Sequence, residues 1–322
     1  MLLFPAIYHD GYDLNFGKHV FPTKKYRLIR GMLIEAYSAS LEEFSVPEPA
    51  ARDHLLLVHT ADWVKKLETG TLTYQEVRQL EAPYSRQMVQ AYFLSAGGTI
   101  LAAREALNHG VAMNIGGGFH HAFGGHGEGF CAINDIAVAI RVLQHEGQIK
   151  KALVVDCDVH HGNGTASIFA HDATVFTLSI HQRDNYPAVK PPSSLDIHLA
   201  DATGDQEYLS KLGEALSAAV AGYRPDLLMF VAGADPFYDD QLGGLSLTKE
   251  GMLTRDRLVF ETAFRNHVPV CVTLAGGYAH ELTDTVQLHA QTYRAAVEAA
   301  QECGWPLPGA NLSGISLTRT EC

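Results

Sequence analysis

The chain repeats one order of parts: a short apolar run, a loop of glycine, aspartate and histidine at its end, then an amphipathic stretch. The apolar runs are Val111 to Ile115, Ala152 to Val155, Thr174 to Ser179, Leu227 to Val231 and Val270 to Leu274. The amphipathic stretches are Ser85 to Leu107, Ile133 to His145, Asp205 to Ala221 and Lys249 to Asn266, where apolar residues recur at helical spacing. Strand runs that are apolar throughout are buried on both faces, which calls for helices packed over a mostly parallel sheet. The expected fold class is therefore α/β. No repeat, low-complexity tract or Ser/Gly linker divides the 322 residues, so one domain is expected over residues 1–303. Residues 304–322, with two prolines, read as an irregular C-terminal tail.

Composition narrows the partners. Thirty-six acidic against 24 basic residues leave a formal net charge of −12, which disfavours the polyanionic backbone of a nucleic acid. The N-terminus has no basic segment followed by a long apolar one, and no run reaches the ~18 apolar residues of a membrane span. The expectation is a soluble, cytoplasmic protein with neither nucleic acid nor membrane as partner. The five cysteines (Cys131, Cys157, Cys271, Cys303 and Cys322) form no C-x-x-C pair, which argues against a disulfide framework and a thiolate zinc site.

Ligands of a parallel sheet bind at the carboxyl ends of its strands. Here those positions hold Gly116-Gly117-Gly118-Phe119-His120-His121, Asp156-Cys157-Asp158-Val159-His160-His161-Gly162-Asn163, His181, Asp235 and Gly276-Gly277-Tyr278. In an extended backbone Asp158 and His160 share a face and can bind one metal together. Asp235 could supply a third ligand, leaving a fourth position for water as in catalytic zinc sites. Alone, the Asp158 and His160 spacing also reads as a helix cap and a core histidine. Two adjacent imidazoles resist double protonation and suit proton transfer, with Asp156 and Asn163 as candidate partners for the rings of His120 and His121. Tyr278, on a permissive Gly-Gly loop, could donate a hydrogen bond to a developing oxyanion. The Gly116 to Gly118 run lacks G-x-G-x-x-G, and no acid follows at the ribose-binding distance, so a dinucleotide-binding fold is rejected.

Five segments in this order, GGGFHHA, GFCAINDIAVAI, DCDVHHGNGT, AGADPFYDDQLGGLSLT and LAGGY, resemble the zinc-dependent histone deacetylase family of the arginase/deacetylase fold. The resemblance runs from about Tyr8 to Tyr278 and is strongest to the class IV and bacterial deacetylase-like branch, with Asn163 where many class I members have aspartate. It implies a single domain with a central eight-stranded parallel sheet. It also implies zinc (Zn2+) on Asp158, His160 and Asp235, and potassium (K+) on Asp156, Asp158, the His160 carbonyl, Ser179 and Ile180. The implied chemistry is hydrolysis of N-acyl-lysine amides in protein or peptide by a metal-activated water. In it His121 is the base oriented by Asn163, His120 its electrostatic partner paired with Asp156, and Tyr278 the oxyanion donor. Phe130 and Tyr186 match the aromatic walls of a lysine tunnel, with Gly129, Gly276 and Leu242 beside them. His181 is placed near that tunnel without a role.

Two departures bear on substrate. No aspartate lies between Thr69 and Tyr84 to match the one that holds the substrate backbone in classical members, which leaves looser recognition or Glu81 as a substitute. Polyamine-specific members carry an acid where this chain has Leu242, which favours acyl-lysine, while Asp239 and Asp240 keep the alternative of an acetylpolyamine or other small-molecule amide open. A catalytically silent acyl-lysine reader is disfavoured because His121 and Tyr278 are both present. A two-manganese ureohydrolase is disfavoured because the remaining acids do not follow its bridging pattern.

Overall fold

A computed structural model describes residues 1–311. Its eight strands are β1 (Ala6–Ile7), β2 (Phe44–Ser45), β3 (Val111–Asn114), β4 (Ala152–Asp156), β5 (Val175–Gln182), β6 (Leu195–Leu199), β7 (Leu227–Val231) and β8 (Val270–Thr273). They form one sheet in the order β2-β1-β3-β8-β7-β4-β5-β6, and every neighbouring pair is parallel. Strands β3, β4, β7 and β8 are buried at every residue, as their unbroken apolar sequences require.

The order of strands decides where the helices go. Connections β2 to β3, β3 to β4 and β4 to β5 step across the sheet in one direction, while β1 to β2, β6 to β7 and β7 to β8 step the other way. Parallel crossovers are right-handed, so the two directions place their helices on opposite faces. Helices Arg86–His109 and Asp135–His145 accordingly pack together on one face. Helices Lys25–Tyr37, Asp205–Tyr223, Lys249–Arg265 and Leu282–Cys303 form the other layer. Local signals set the helix ends: the Ser85 side chain accepts from the Met88 N–H, and Gly110, at φ 84°, closes the same helix.

Strands β1, β2 and β6 have no counterpart in the apolar runs of the sequence. Two-residue strands show no periodicity, and β6 is an edge strand only partly buried. One placement is corrected. The run at Thr174 to Ser179 continues as strand to Gln182, so His181 lies inside β5, fully buried, and does not line the tunnel. At the C-terminus Trp305 stacks on Phe264 with ring centroids 4.8 Å apart, and Pro308–Asn311 form a 3-10 turn. The rest of the expected irregular tail lies outside the described residues.

Candidate active site

The carboxyl ends of β3, β4, β7 and β8 meet in the middle of the sheet, and the chemistry-bearing loops converge there. Gly118 has φ 83°, and a Cβ on it would sit 2.6 Å from Ala275 of the β8 loop, so only glycine lets the two loops touch. Asp135, buried at the start of its helix, accepts from the N–H groups of Gly118 (3.0 Å) and Phe119 (2.8 Å) and from Thr99 Oγ1 (2.6 Å). The glycine loop is thereby fixed to a rigid element, and the two histidines that follow it are held in place.

His120 and His121 are both buried, with their Nε2 atoms 3.1 Å apart. Their Nδ1 atoms point to different partners: that of His120 lies 2.7 Å from Asp156 Oδ2, and that of His121 lies 2.7 Å from Asn163 Oδ1. The environments push the rings apart. For His120 burial opposes charge, but the carboxylates of Asp156 and Asp158 prevail and raise it to about 9. For His121 burial and the charges of His120 and His160 hold it well below the usual histidine range. Asn163 presents its oxygen to His121 because its Nδ2 donates to Glu128 Oε1 at 2.7 Å. The amide oxygen accepts from His121 Nδ1–H, which leaves Nε2 of that ring unprotonated, its lone pair facing His120 Nε2.

Beside this pair, Asp158, His160 and Asp235 each turn one ligand atom toward a common point, all within 4.8 Å of one another. His160 Nδ1 is 3.0 Å from Asp158 Oδ1 and 3.5 Å from Asp235 Oδ2. The opposite oxygens are tied to backbone: Asp158 Oδ2 accepts from Gly276 N–H (2.9 Å) and Asp235 Oδ1 from Val159 N–H (2.8 Å). Asp235 Oδ2 is buried with no hydrogen-bond partner. Burial and the neighbouring Asp158 carboxylate push Asp235 up to about 7. Two buried carboxylates and an imidazole aimed at one point, one oxygen left unsatisfied, fit a divalent cation such as zinc with an open position. Gly276 is required here by space, since a Cβ would collide with the Asp235 and Asp158 carboxylates. The β4–β5 register sets Asp156 opposite Ser179, next to Ile180, three of the positions assigned by resemblance to potassium.

His120, His121, Asp158 and His160 line a cavity of about 220 Å³, smaller than the ~300 Å³ at which drug-sized pockets begin. Phe130, Tyr186, Gly129, Gly276, Leu242 and Tyr278 all line it. Phe130 holds the left-handed backbone (φ 64°), unusual for a bulky residue, and its N–H donates to Leu80 O at 2.9 Å. Tyr186 donates its hydroxyl to Glu128 Oε1 at 3.0 Å. Tyr278 is buried among Phe21 and Phe130, and burial together with the Asp158 and Asp235 charges raises its phenol well above the usual value, which keeps it a donor. Glu81 also lines the cavity.

Several residues of the site are not singled out by sequence. Lys25 is fully buried behind the metal trio, donates to Ala275 O at 2.5 Å, and is lowered by burial to about 8 against the pull of Asp235, Asp158 and Asp240. Buried Arg255 donates to the carbonyls of Gly233 (2.6 Å) and Cys157 (3.3 Å), joining the two ligand-bearing loops. Both lie on helices far along the chain from the loops they serve, and nothing local marks them. Asp240, adjacent in sequence to Asp239, is not turned toward the cavity as an anion. It accepts from the N–H groups of Tyr278 (2.6 Å), Leu242 (2.9 Å) and Gly243 (3.0 Å), and so sets the loop that carries Tyr278.

The chain is similar to known proteins along most of its length. The histone deacetylase domain model matches residues 19–293. An uncharacterized protein of Picosynechococcus is 42% identical over 294 residues, covering 91% of this chain and 98% of its own. Histone deacetylase 2 of Arabidopsis thaliana is 32% identical, covering 87% of this chain and 77% of its own. A probable deacetylase of Methanothermobacter thermautotrophicus is 34% identical over 85% of this chain and 86% of its own. The crystal structure of the HDA15 HD domain superposes with a TM-score of 0.74 at 22% identity, covering 92% of this chain and 90% of that one, and so shares the fold. The chain belongs to the histone deacetylase family, with bacterial-like relatives, and its family chemistry is that of an amide hydrolase. No helix among the described residues is long and apolar enough to cross a membrane.

Proposed function

We propose that the protein hydrolyses the amide of N-acyl-lysine in a protein or peptide. The observation that carries this is the histidine pair, one ring bonded to Asp156 and the other to Asn163, lining a narrow aromatic cavity beside the Asp158, His160 and Asp235 trio. Those three would hold a zinc ion, which when bound polarises an acyl carbonyl and activates a water. Asp156, Asp158, the His160 carbonyl, Ser179 and Ile180 would hold a potassium ion, a cation suited to oxygen ligands.

Each chain residue then has a task. Phe130 and Tyr186 grip the lysine methylenes and exclude water from the cavity. His121 accepts the proton of the attacking water at Nε2, because its Nδ1–H is committed to Asn163. His120 keeps its Nδ1 proton on Asp156, stabilises the charge that develops at His121, and offers its Nε2 proton to the departing lysine amine. Tyr278 donates its hydroxyl to the carbonyl oxygen as that oxygen gains charge. The C–N bond breaks, releasing a carboxylate and free lysine.

Acyl-lysine is favoured over an acetylpolyamine because the cavity wall at Leu242 is apolar and the Asp240 carboxylate is consumed by three backbone donors. Glu81, the candidate substitute for the aspartate that holds the substrate backbone, also lines the cavity. Turnover of zinc-loaded protein on an acetyl-lysine peptide, a long-chain acyl-lysine peptide and N-acetylputrescine separates the two. Activity on either peptide is expected, and activity confined to N-acetylputrescine would overturn the substrate assignment. The cytoplasm is the proposed location.

A further inference from the structure

Strands β5 and β6 at the edge of the sheet carry a second constellation that the reaction does not use. In their parallel register Ser179 faces Asp196 and His181 faces His198. Residues two apart share a face of a strand, so these four polar side chains form a square on one side of the edge pair. His161, from the loop after β4, covers the square. Its ring lies 4.7 Å from that of His181, and the His181 ring 4.7 Å from that of His198.

We propose that His161, His181 and Asp196 form a second binding site for a divalent first-row transition-metal ion of the zinc class. One ligand atom from each lies within 4.8 Å of the others, the same convergence shown by Asp158, His160 and Asp235. His161 and His181 are fully buried. His161 Nε2 stands 3.2 Å from Asp196 Oδ1, yet that oxygen is buried without an aligned hydrogen bond. Two ligands of a tetrahedral zinc ion, each ~2.0–2.1 Å from it, are separated by roughly 3.3 Å and point at the metal rather than at each other. Asp196 Oδ2 accepts from Ser193 N–H at 2.9 Å, His161 Nε2 meets Ser193 Oγ at 3.3 Å while its Nδ1 is buried without a partner, and His181 meets Ser179 Oγ through Nδ1 and His198 through Nε2, each at 2.9 Å, so a bound ion would take over one nitrogen of each ring and leave the other supported or free. Imidazole and carboxylate donors suit zinc, cobalt or nickel rather than the hard alkaline-earth ions. His198, exposed and 2.9 Å from His181 Nε2 through its Nδ1, opens the cluster to solvent and supplies an entry path. A bound ion would clamp edge strand β6 to the loop that carries His160, so its effect is on the stability of that edge.

The test is metal stoichiometry on the full chain, stripped with chelator and titrated with Zn2+ and with Co2+. Wild type is expected to bind two equivalents, Asp196→Asn one, and Asp158→Asn/Asp235→Asn still one. In that double variant Co2+ should give visible ligand-field absorption that adding Asp196→Asn abolishes, and Zn2+ should raise the melting temperature. This measures the second site directly with its ligands intact, whatever the fate of the Asp196 variant. A single equivalent in wild type, or two retained by Asp196→Asn, or none in the double variant, would overturn the proposal. None of these readouts depends on the identity of the amide substrate.

Discussion

Replacing Glu128 by alanine removes no group that touches the reacting atoms, yet it should slow the reaction about twofold. The carboxylate holds Asn163 by a 2.7 Å hydrogen bond from Nδ2, and that bond makes Asn163 show its oxygen to His121. Burial opposes the charge of Glu128, but donors from His126, Asn163, Tyr186 and Gln79 prevail and keep it ionised. A hydrogen bond to a charged group contributes roughly 1.5–3 kcal/mol, and because Glu128 is partly exposed the lower figure applies. Without the bond the Asn163 amide can rotate, offer its NH2 to His121 Nδ1, and move the ring proton to Nε2, where the base must be bare. A loss of about 1.5 kcal/mol in preference takes the working tautomer from about nine-tenths of the population to about half, about a twofold fall in kcat. The assay is steady-state turnover on an acyl-lysine peptide, comparing Glu128→Ala with Glu128→Gln, whose amide oxygen can still accept from Asn163. Glu128→Ala should lower kcat about twofold, and Glu128→Gln should restore most of it. Turnover by Glu128→Ala equal to wild type, or equal damage by both variants, would refute the relay.

Three other expectations follow from named contacts. Asp235→Asn deletes a ligand whose free oxygen completes the trio, so zinc bound at that site should fall by at least tenfold in affinity, read by competition with a chelator. His59 is buried with Nδ1 donating to Phe123 O (3.0 Å) and Nε2 accepting from Asn134 N–H (3.1 Å), and burial depresses it to about 4. The unfolded chain, near ~6.5, takes the proton first, so this contribution is complete above that pH and is lost as pH falls through about 4, roughly 3 kcal/mol in all. Denaturant unfolding at about pH 7 and about pH 4.5 should show a drop that His59→Gln largely removes. Leu242→Glu puts an anion on the cavity wall and should improve N-acetylputrescine against acetyl-lysine peptide by about fivefold in kcat/KM, roughly 1 kcal/mol of exposed ion pairing.

What the sequence reveals and what it hides divide along physical lines. Strands such as Leu227–Val231 are legible because burial on both faces demands an unbroken apolar run, and the site loops are legible because a parallel sheet puts ligands after such runs. Asp156, Asn163 and the His120 and His121 pair are neighbours in space as their positions in two loops suggest. Strands β1 and β2 are set by tertiary pairing of two residues each, which no local pattern encodes. Lys25 and Arg255 work at the site from helices on the far layer, and a buried cation in a helix reads in sequence as a solvated one. An apolar run read as ending at Ser179 leaves His181 in a loop, whereas Ile180, His181 and Gln182 continue the β5 ladder by pairing with β6.

The central claim is that the floor of the cavity hydrolyses an acyl-lysine amide with Tyr278 aiding the carbonyl oxygen. Its most direct test is the kcat of zinc-loaded Tyr278→Phe on an acetyl-lysine peptide, with zinc content measured on the same sample. Full zinc occupancy with a loss on the order of 10² or more in turnover is the predicted result. Near-normal turnover would contradict the account and require another donor at the carbonyl oxygen.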